Sequence, residues 1–549
     1  MKHMLAILLA LALCFGLLPV QAEEAWADAT HIVLSDEGVT VNGEAAPTDE
    51  SAAVYTANDI VFYLAGQDFT YGEGSESEAH TQEEADTHTV VHITQPGTYV
   101  LSGSLSAGQV AVEIEDGKKD PDAVVTLVLN GVDITCSVAP AVIFYNVYEC
   151  CEADEETAVM TVDTAAAGAN VIIADDTVNN ITGSHVARIY EPGTVKLSED
   201  GTEVEEADKL HKYDAAFYSK RTMNVNGGQK GTGVLNINAD NEGLDSELHL
   251  TINGGIINIS SGNDGINTNE DNVSVTTLNG GSLTITVHGA TGEGDGIDSN
   301  GWLVINGGTV TSAACGFSGD AGIDSDKGIW LNGGEVCATG NMFDHVAGGD
   351  APYAVFSFDG RIKGGSTITL KTEAGETAAE WTPANDFSYL VISGQAVQPG
   401  AYTLWQGETQ LAYTGTDVFA FGGKGGMTPP DMPEGMEPPE LPEGFDFRQM
   451  EPPEGFEMPE GMERPEGMEK TEGMKEPEGF DPSKMVPPEG MELPEGMERP
   501  DDDGRGFGGG RGFGGRHGGF GSQQSGEQNT LFVIMEDGGT YSGVGAVQE

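Results

Sequence analysis

Short bursts of alternating apolar and polar residues run through this chain, and between residues 214 and 340 they fall into a fixed period. Met223/Val225, Leu250/Ile252, Thr276/Leu278, Leu303/Ile305 and Ile329/Leu331 each lead into an Asn-Gly-Gly, beginning at Asn226, Asn253, Asn279, Asn306 and Asn332. Those asparagines lie 27, 26, 27 and 26 residues apart. Two-residue alternation predicts strands, and the glycines predict turns. Alternation resumes after the glycines at Ile257/Ile259, Leu283/Ile285 and Val310/Ser312, and in the first unit it is delayed by the insertion 229–233. A third short element closes each unit: Gly243-Leu244-Asp245-Ser246, Gly265-Ile266-Asn267-Thr268, Gly296-Ile297-Asp298-Ser299 and Gly322-Ile323-Asp324-Ser325. Three strands and three turns per unit, with no helical segment, predict an all-β chain built as a parallel β-helix.

The flanks read as its entry, cap and tail. Residues 90–103 and 123–135 alternate clearly and 169–182 more loosely, as irregular first coils would, while the charged stretch 193–212 reads as a projecting loop. Residues 23–88 hold a few strand-like runs and an acidic, Ser-rich loop, which suits an N-terminal cap. The repeat region is expected over 89–350, followed by a small β cap over 351–426. From 427 Pro-Glu-Gly-Met and Pro-Glu-Gly-Phe recur, and a Gly/Arg/Phe run follows; such a segment buries no core and is expected to be disordered to about 528. Strand-like alternation returns in 529–549, so 427–528 reads as an insertion between strands that pair, the returning stretch joining the cap near Tyr402 to Tyr413.

Residues 1–22 have Lys2, an apolar run and Val20-Gln21-Ala22, the pattern of a signal peptide, so the chain is expected to be exported, extracellular and open to cell-wall association. Cys14 raises a lipoprotein reading that Leu13 disfavours. No later run is long enough to span a bilayer. Against 89 Asp and Glu stand 24 Lys and Arg, a formal net charge of -65. Nucleic acid and anionic membranes are poor partners for such a surface, and divalent cations are good ones. A monomer is expected. Cys136, Cys150, Cys151, Cys315 and Cys337 show neither zinc spacing nor an even count, so they read as small buried residues, with a Cys315/Cys337 bridge left open.

Register adds chemistry. If Leu244, Ile266, Ile297 and Ile323 face inward, Asp245, Asn267, Asp298 and Asp324 form one outward column, with Asp240, Asp264, Asp295 and Asp320 at the same turn. Neighbouring carboxylates at that spacing repel by roughly 3–4 kcal/mol at an effective dielectric of 20. A hard cation with oxygen ligands would relieve this, and flexible acidic turns suit Ca²⁺ better than Mg²⁺. Turn propensity of Asp, Asn and Gly is the alternative, but turns alone do not require two acidic columns side by side. Trp302, Trp330 and Lys327 stand on neighbouring coils and form a possible sugar platform, with core packing the alternative for the rings.

The order GTYVLSG, TLVLNGVDIT, AAFYSK, NVNGG and then repeated GIDS and INGG resembles a family of secreted bacterial carbohydrate-binding domains with a right-handed, pectate-lyase-like parallel β-helix, over about residues 89–422. The resemblance implies bound calcium and affinity for plant-wall polysaccharides such as polygalacturonate or cellulose. Asn267 and Thr268 depart from its Asp-Ser pattern. The expected activity is therefore calcium-dependent binding of acidic polysaccharide, not catalysis. The alternatives are a pectate-type lyase, for which Lys327 or Lys220, beside Arg221, would be the base that takes the C5 proton, and a structural surface protein or adhesin.

Overall fold

A computed structural model describes residues 26–418 and 528–548. Strands make up nearly all of its regular structure; one four-residue helix, Gln82–Ala85, is held by a capping box between Thr81 and Glu84. The expected leader, the Pro-Glu-Gly-Met segment and the Gly/Arg run lie outside the described residues.

Three parallel ladders carry the repeat. Val125–Thr135, Ala169–Ile173, Met223–Gly227, His249–Ile252, Val275–Leu278, Trp302–Ile305 and Ile329–Leu331 pair in that order as the first ladder. Val178–Gly183, Val234–Ala239, Ile256–Ser261, Ser282–Val287, Thr309–Ala313 and Glu335–Gly340 pair as the second. The third runs through Thr89–Ile93, Gly108–Glu113, Val142–Asn146, Ala215–Ser219, Glu242–Ser246, Ile266–Thr268 and Ile297–Ser299. From Met223 onward the chain visits the ladders in rotation, so residues one period apart become neighbours. At the last repeat, 322–325 forms no strand, although the Asp324 and Asp326 amides still donate to Ile297 and Ser299 carbonyls.

Alternation decides which side chains meet. Met223, Val225, Leu250, Leu303, Ile305, Leu244, Ile266 and Ile297 are fully buried in one continuous core. Each such burial contributes about 1.5–3 kcal/mol. Two glycine columns make the corners possible. Gly255, Gly281, Gly308 and Gly334 take φ of +98°, +86°, +84° and +85°, which a side chain strains against. At Gly243 and Gly265 a Cβ would come 2.3 Å from Ile259 and Ile285 respectively, so only glycine lets the core side chain sit there.

The ends differ from the middle. Thr30–Leu34 adds to the stack parallel to Gly97–Leu105, and Val54–Ala57 pairs antiparallel with Thr89–Ile93. The charged stretch near 200, expected as a projecting loop, carries strands of its own. Lys196–Leu197 pairs with Val204–Glu206, and Val186–Tyr190 with Lys209–Tyr213, making an antiparallel excursion. At the other end Phe387–Ser393 lies antiparallel on Glu335–Gly340 and on Tyr353–Ile362. Phe532–Ile534 pairs with Gly400–Gln406, setting Phe532 opposite Tyr402, and Gly539–Ala546 pairs with Thr409–Ala412 and Tyr353–Ile362. Phe356, Phe532 and Tyr541 pack there as an aromatic cluster.

The cysteines correct one expectation. Cys150 and Cys151 are joined to each other, whereas Cys136, Cys315 and Cys337 are free and buried. An adjacent pair gives no spacing signal, so the sequence offered no cue to it.

Candidate functional site

The third ladder carries the acidic residues. Strand register sets Asp245 beside Asn267 and Asn267 beside Asp298, with Tyr218 preceding Asp245 in the same row. Asp324 follows at the end of the row through the backbone bond to Ile297. The second row is not the one expected at its first position. Glu242, two residues before inward Leu244, aligns with Asp264, two before Ile266, and with Asp295, two before Ile297. Asp240 is exposed and turns away, accepting from Ser184 Oγ at 2.5 Å with His185 Nδ1 at 3.3 Å. Asp320 sits one residue off register and accepts the Gly294 amide at 2.7 Å.

These carboxylates are drawn out of water. Glu242, Asp245 and Asp264 are buried, as are Asn267 and Asp344, while Asp295, Asp298, Asp320 and Asp324 are half-buried. Burial, then Asp245, pushes Glu242 well above the usual carboxylate range; burial, then Asp214, does so for Asp245. Burial raises Asp264, Asp295 and Asp298 as well, with Glu242, Asp324 and Asp264 respectively adding the largest charge effect. Asp324 is lifted to about 6 and Asp344 to about 8, again chiefly by burial. Asp344 joins from outside the repeat, accepting the Ser325 amide at 3.2 Å.

Some of this charge is answered locally. Asp264 Oδ1 accepts the Asp295 amide at 2.6 Å, Asp295 Oδ1 accepts the Ala321 amide at 2.5 Å, and Asn269 donates to both Asp245 oxygens. Lys212 pairs with Asp214 at 2.7 Å near Glu242 and Asp245, a base the sequence reading did not place there. Within these rows two oxygens, Glu242 Oε2 and Asn267 Oδ1, are buried without a partner among the described residues. These donors are all oxygens and short of positive charge, the kind a hard divalent cation takes, whereas among the described residues the three ligand atoms that lie within 4.8 Å of one another belong to Glu149, Cys150 and Cys151.

The other expected site residues disperse. Trp302 stands in register with Val275, whereas Trp330 stands beside Val304, so the two rings do not share a row. Lys327 lies 4.4 Å from the Trp302 ring centroid and covers one face of it. Lys220 is half-buried, and its ammonium stands 5.8 Å from the Tyr213 ring centroid; burial depresses its pKa. Arg221 donates to the Asn146 side chain at 3.2 Å. Among the described residues no helix is long and apolar enough to cross a membrane.

A family model described as carbohydrate-binding domain-containing protein matches residues 87–396. Among solved structures the chain matches one described as the polysaccharide lyase-like protein from C. thermocellum, a gadolinium derivative, with 21% identity and a TM-score of 0.33 over 59% of this chain and 93% of that one. Comparison with curated proteins gives no match.

Proposed function

The chain belongs to the carbohydrate-binding domain-containing family, and from that premise we propose that it is an exported, monomeric protein, its repeat wound as a right-handed parallel β-helix, that binds acidic polysaccharide through calcium held on the third ladder. One observation carries the reading: buried and half-buried carboxylates run in adjacent rows along the third ladder, among them Glu242 Oε2, and beside them Asn267 Oδ1, both buried with no hydrogen-bond partner. Glu242, Asp245, Asp264, Asn267, Asp295, Asp298, Asp324 and Asp344 would hold the ions, with Asp320 beside them. Bound Ca²⁺ would neutralise the rows and offer coordination to a uronate carboxylate. The protein's own part is to hold these oxygens in register on a ladder whose Leu244, Ile266 and Ile297 are packed into the apolar core. A chain of net charge -65 repels polygalacturonate unless a cation intervenes, so binding and calcium are coupled.

Retention on polygalacturonate with Ca²⁺, with Mg²⁺ and with chelator tests this. The expected result is retention in Ca²⁺ alone, accompanied by a rise in melting temperature. Equal behaviour in Mg²⁺, or retention in chelator, overturns the calcium reading.

A lyase is the second reading, and Lys220 is the observation that favours it. A half-buried amine with a depressed pKa beside Tyr213 is suited to accept a proton. Unsaturated product absorbing in the ultraviolet, formed by wild type and lost in Lys220→Ala, would establish it. Calcium-dependent retention without that product would leave binding as the activity.

A further inference from the structure

Cys150 and Cys151 form a disulfide between neighbours in the chain. A disulfide steadies a fold chiefly by closing a loop in the unfolded chain, and the effect grows with the length of that loop. At a sequence separation of 1 there is no loop to close, so this bond adds little to stability. Its surroundings are nonetheless prepared. The chain leaves the third-ladder strand Val142–Asn146 and turns the corner toward Ala169–Ile173, and residues 149–151 form no strand. One oxygen of Glu149 and both sulfurs therefore gather within 4.8 Å of one another. In a strand the middle side chain of the three would point away from the other two.

Glu149 is buried and accepts from the Thr222 amide and hydroxyl at 2.8 Å each and from the Cys151 amide at 3.0 Å. A carboxylate has about four lone-pair directions, so these bonds fix its orientation and leave it able to take another partner. Cys151 Sγ lies 3.3 Å from the Asp163 carbonyl. A disulfide sulfur has no proton to donate there, whereas a thiol has, so the contact becomes a hydrogen bond only once the pair is reduced. Asp163 is itself placed by Thr164, whose Oγ1 lies 2.8 Å from Asn224 Oδ1 and 2.9 Å from Thr251 Oγ1. Both joined cysteines are half-buried and within reach of solvent, while Cys136, Cys315 and Cys337 are free and buried.

Two thiolates and a carboxylate are a different donor set from the oxygen rows of the third ladder, because thiolates select thiophilic cations such as Zn²⁺. With sulfur about 2.3 Å from the metal, two donors on one such ion stand no more than about 4.6 Å apart. Atoms already within 4.8 Å of one another reach it with little movement. The disulfide must open first. An external dithiol supplies two electrons and two protons and is itself oxidised to a disulfide; the bond between the sulfurs breaks, and Cys150 and Cys151 become thiols. The cation then displaces both thiol protons.

We propose that Glu149, Cys150 and Cys151 form a redox-gated site for one thiophilic divalent cation, closed as the disulfide and open as the dithiol. The proposal is independent of the carbohydrate reading and of the acidic rows. Titration of the full chain with Cd²⁺ tests it, read by the ultraviolet charge-transfer band of cadmium bound to thiolate. Excess Ca²⁺ is present throughout to occupy carboxylate sites, and it gives no such band. Wild type is titrated with the disulfide intact and again after reduction by a dithiol that is then removed under argon. Cys150→Ser/Cys151→Ser and Glu149→Gln are titrated beside it, each checked for the circular dichroism of a β-rich fold. The oxidised protein should give no band, and the reduced protein a band that saturates at one Cd²⁺ per chain and is displaced by Zn²⁺. The double serine variant should lose the band, and Glu149→Gln should keep it and bind about tenfold more weakly, a loss of about 1.4 kcal/mol. A reduced wild type without the band, the same band in the oxidised protein or in the double serine variant, or equal affinity in Glu149→Gln overturns the proposal.

Discussion

His185 shows how single residues tie the N-terminal segment to the stack. Its Nε2 lies 3.1 Å from Glu78 and its Nδ1 3.3 Å from Asp240. Burial alone would lower this imidazole, but the two carboxylates outweigh it and lift it to about 10, while the same contact draws Glu78 down to about 2. The His185 contribution is thus complete below its unfolded value of 6.5 and disappears as pH rises through about 10. That of Glu78 is complete above 4.5 and disappears as pH falls through about 2. His185→Ala should cost about 1.5 kcal/mol at pH 6, and clearly less near pH 10, in urea unfolding; an equal cost at both would remove the charge from the explanation. Asn267 is a second case. Its amide donates to Glu242 at 3.3 Å, so the departure from Asp-Ser supplies a donor inside an acidic row. Asn267→Asp should lower the melting temperature in chelator by about 1–3 °C, given that an unfolding entropy of about 2.1 cal/mol/K per residue makes 1 kcal/mol worth about 1 °C in a unit this large, and should enlarge the rise produced by Ca²⁺. An unchanged melting temperature in chelator would show that the row tolerates another charge.

At the scale of elements, much was legible and the failures have physical causes. The 26 to 27 residue period became the ladders, and the Asp245, Asn267 and Asp298 row followed from counting outward from Leu244, Ile266 and Ile297. Asp240 was misplaced because spacing alone cannot tell a residue two before the inward position from one four before it. Its partners, Ser184 and His185, lie 56 and 55 residues away. Lys212 and Asp344 come from segments outside the period, so no repeat pattern could point to them. The Asn-Gly-Gly motif was legible as a turn, yet the row in which Asn253 donates to Asn226 and Asn279 to Asn253 depends on register that only stacked strands create. The closing element offers a direct measurement. Phe532 is fully buried against Phe356, Tyr413 and Tyr541. Phe532→Ala should cost about 3–5 kcal/mol in unfolding free energy; a cost below about 1 kcal/mol would mean that the returning strand adds little to the cap.

Across the whole molecule, a parallel stack has no intrinsic length. The last strand of a parallel ladder offers a row of open amides and carbonyls that would accept another layer, whereas at the start of this stack Val54–Ala57 already lies antiparallel on Thr89–Ile93. Phe387–Ser393 interrupts this by running the opposite way along Glu335–Gly340, so the next layer finds the wrong direction waiting for it. The strand is a terminator: it converts what would be an open template into a particle of defined size. A chain ended before residue 351 should therefore associate through the exposed Glu335–Gly340 edge, two copies meeting edge to edge and sedimenting as a dimer, while the full chain stays monomeric at the same concentration. A truncated chain that stays monomeric and folded would show that the ladder edge is blocked elsewhere. On this view the antiparallel strand does for the molecule what a stop codon does for a message, deciding how many times a unit able to repeat without limit is allowed to do so.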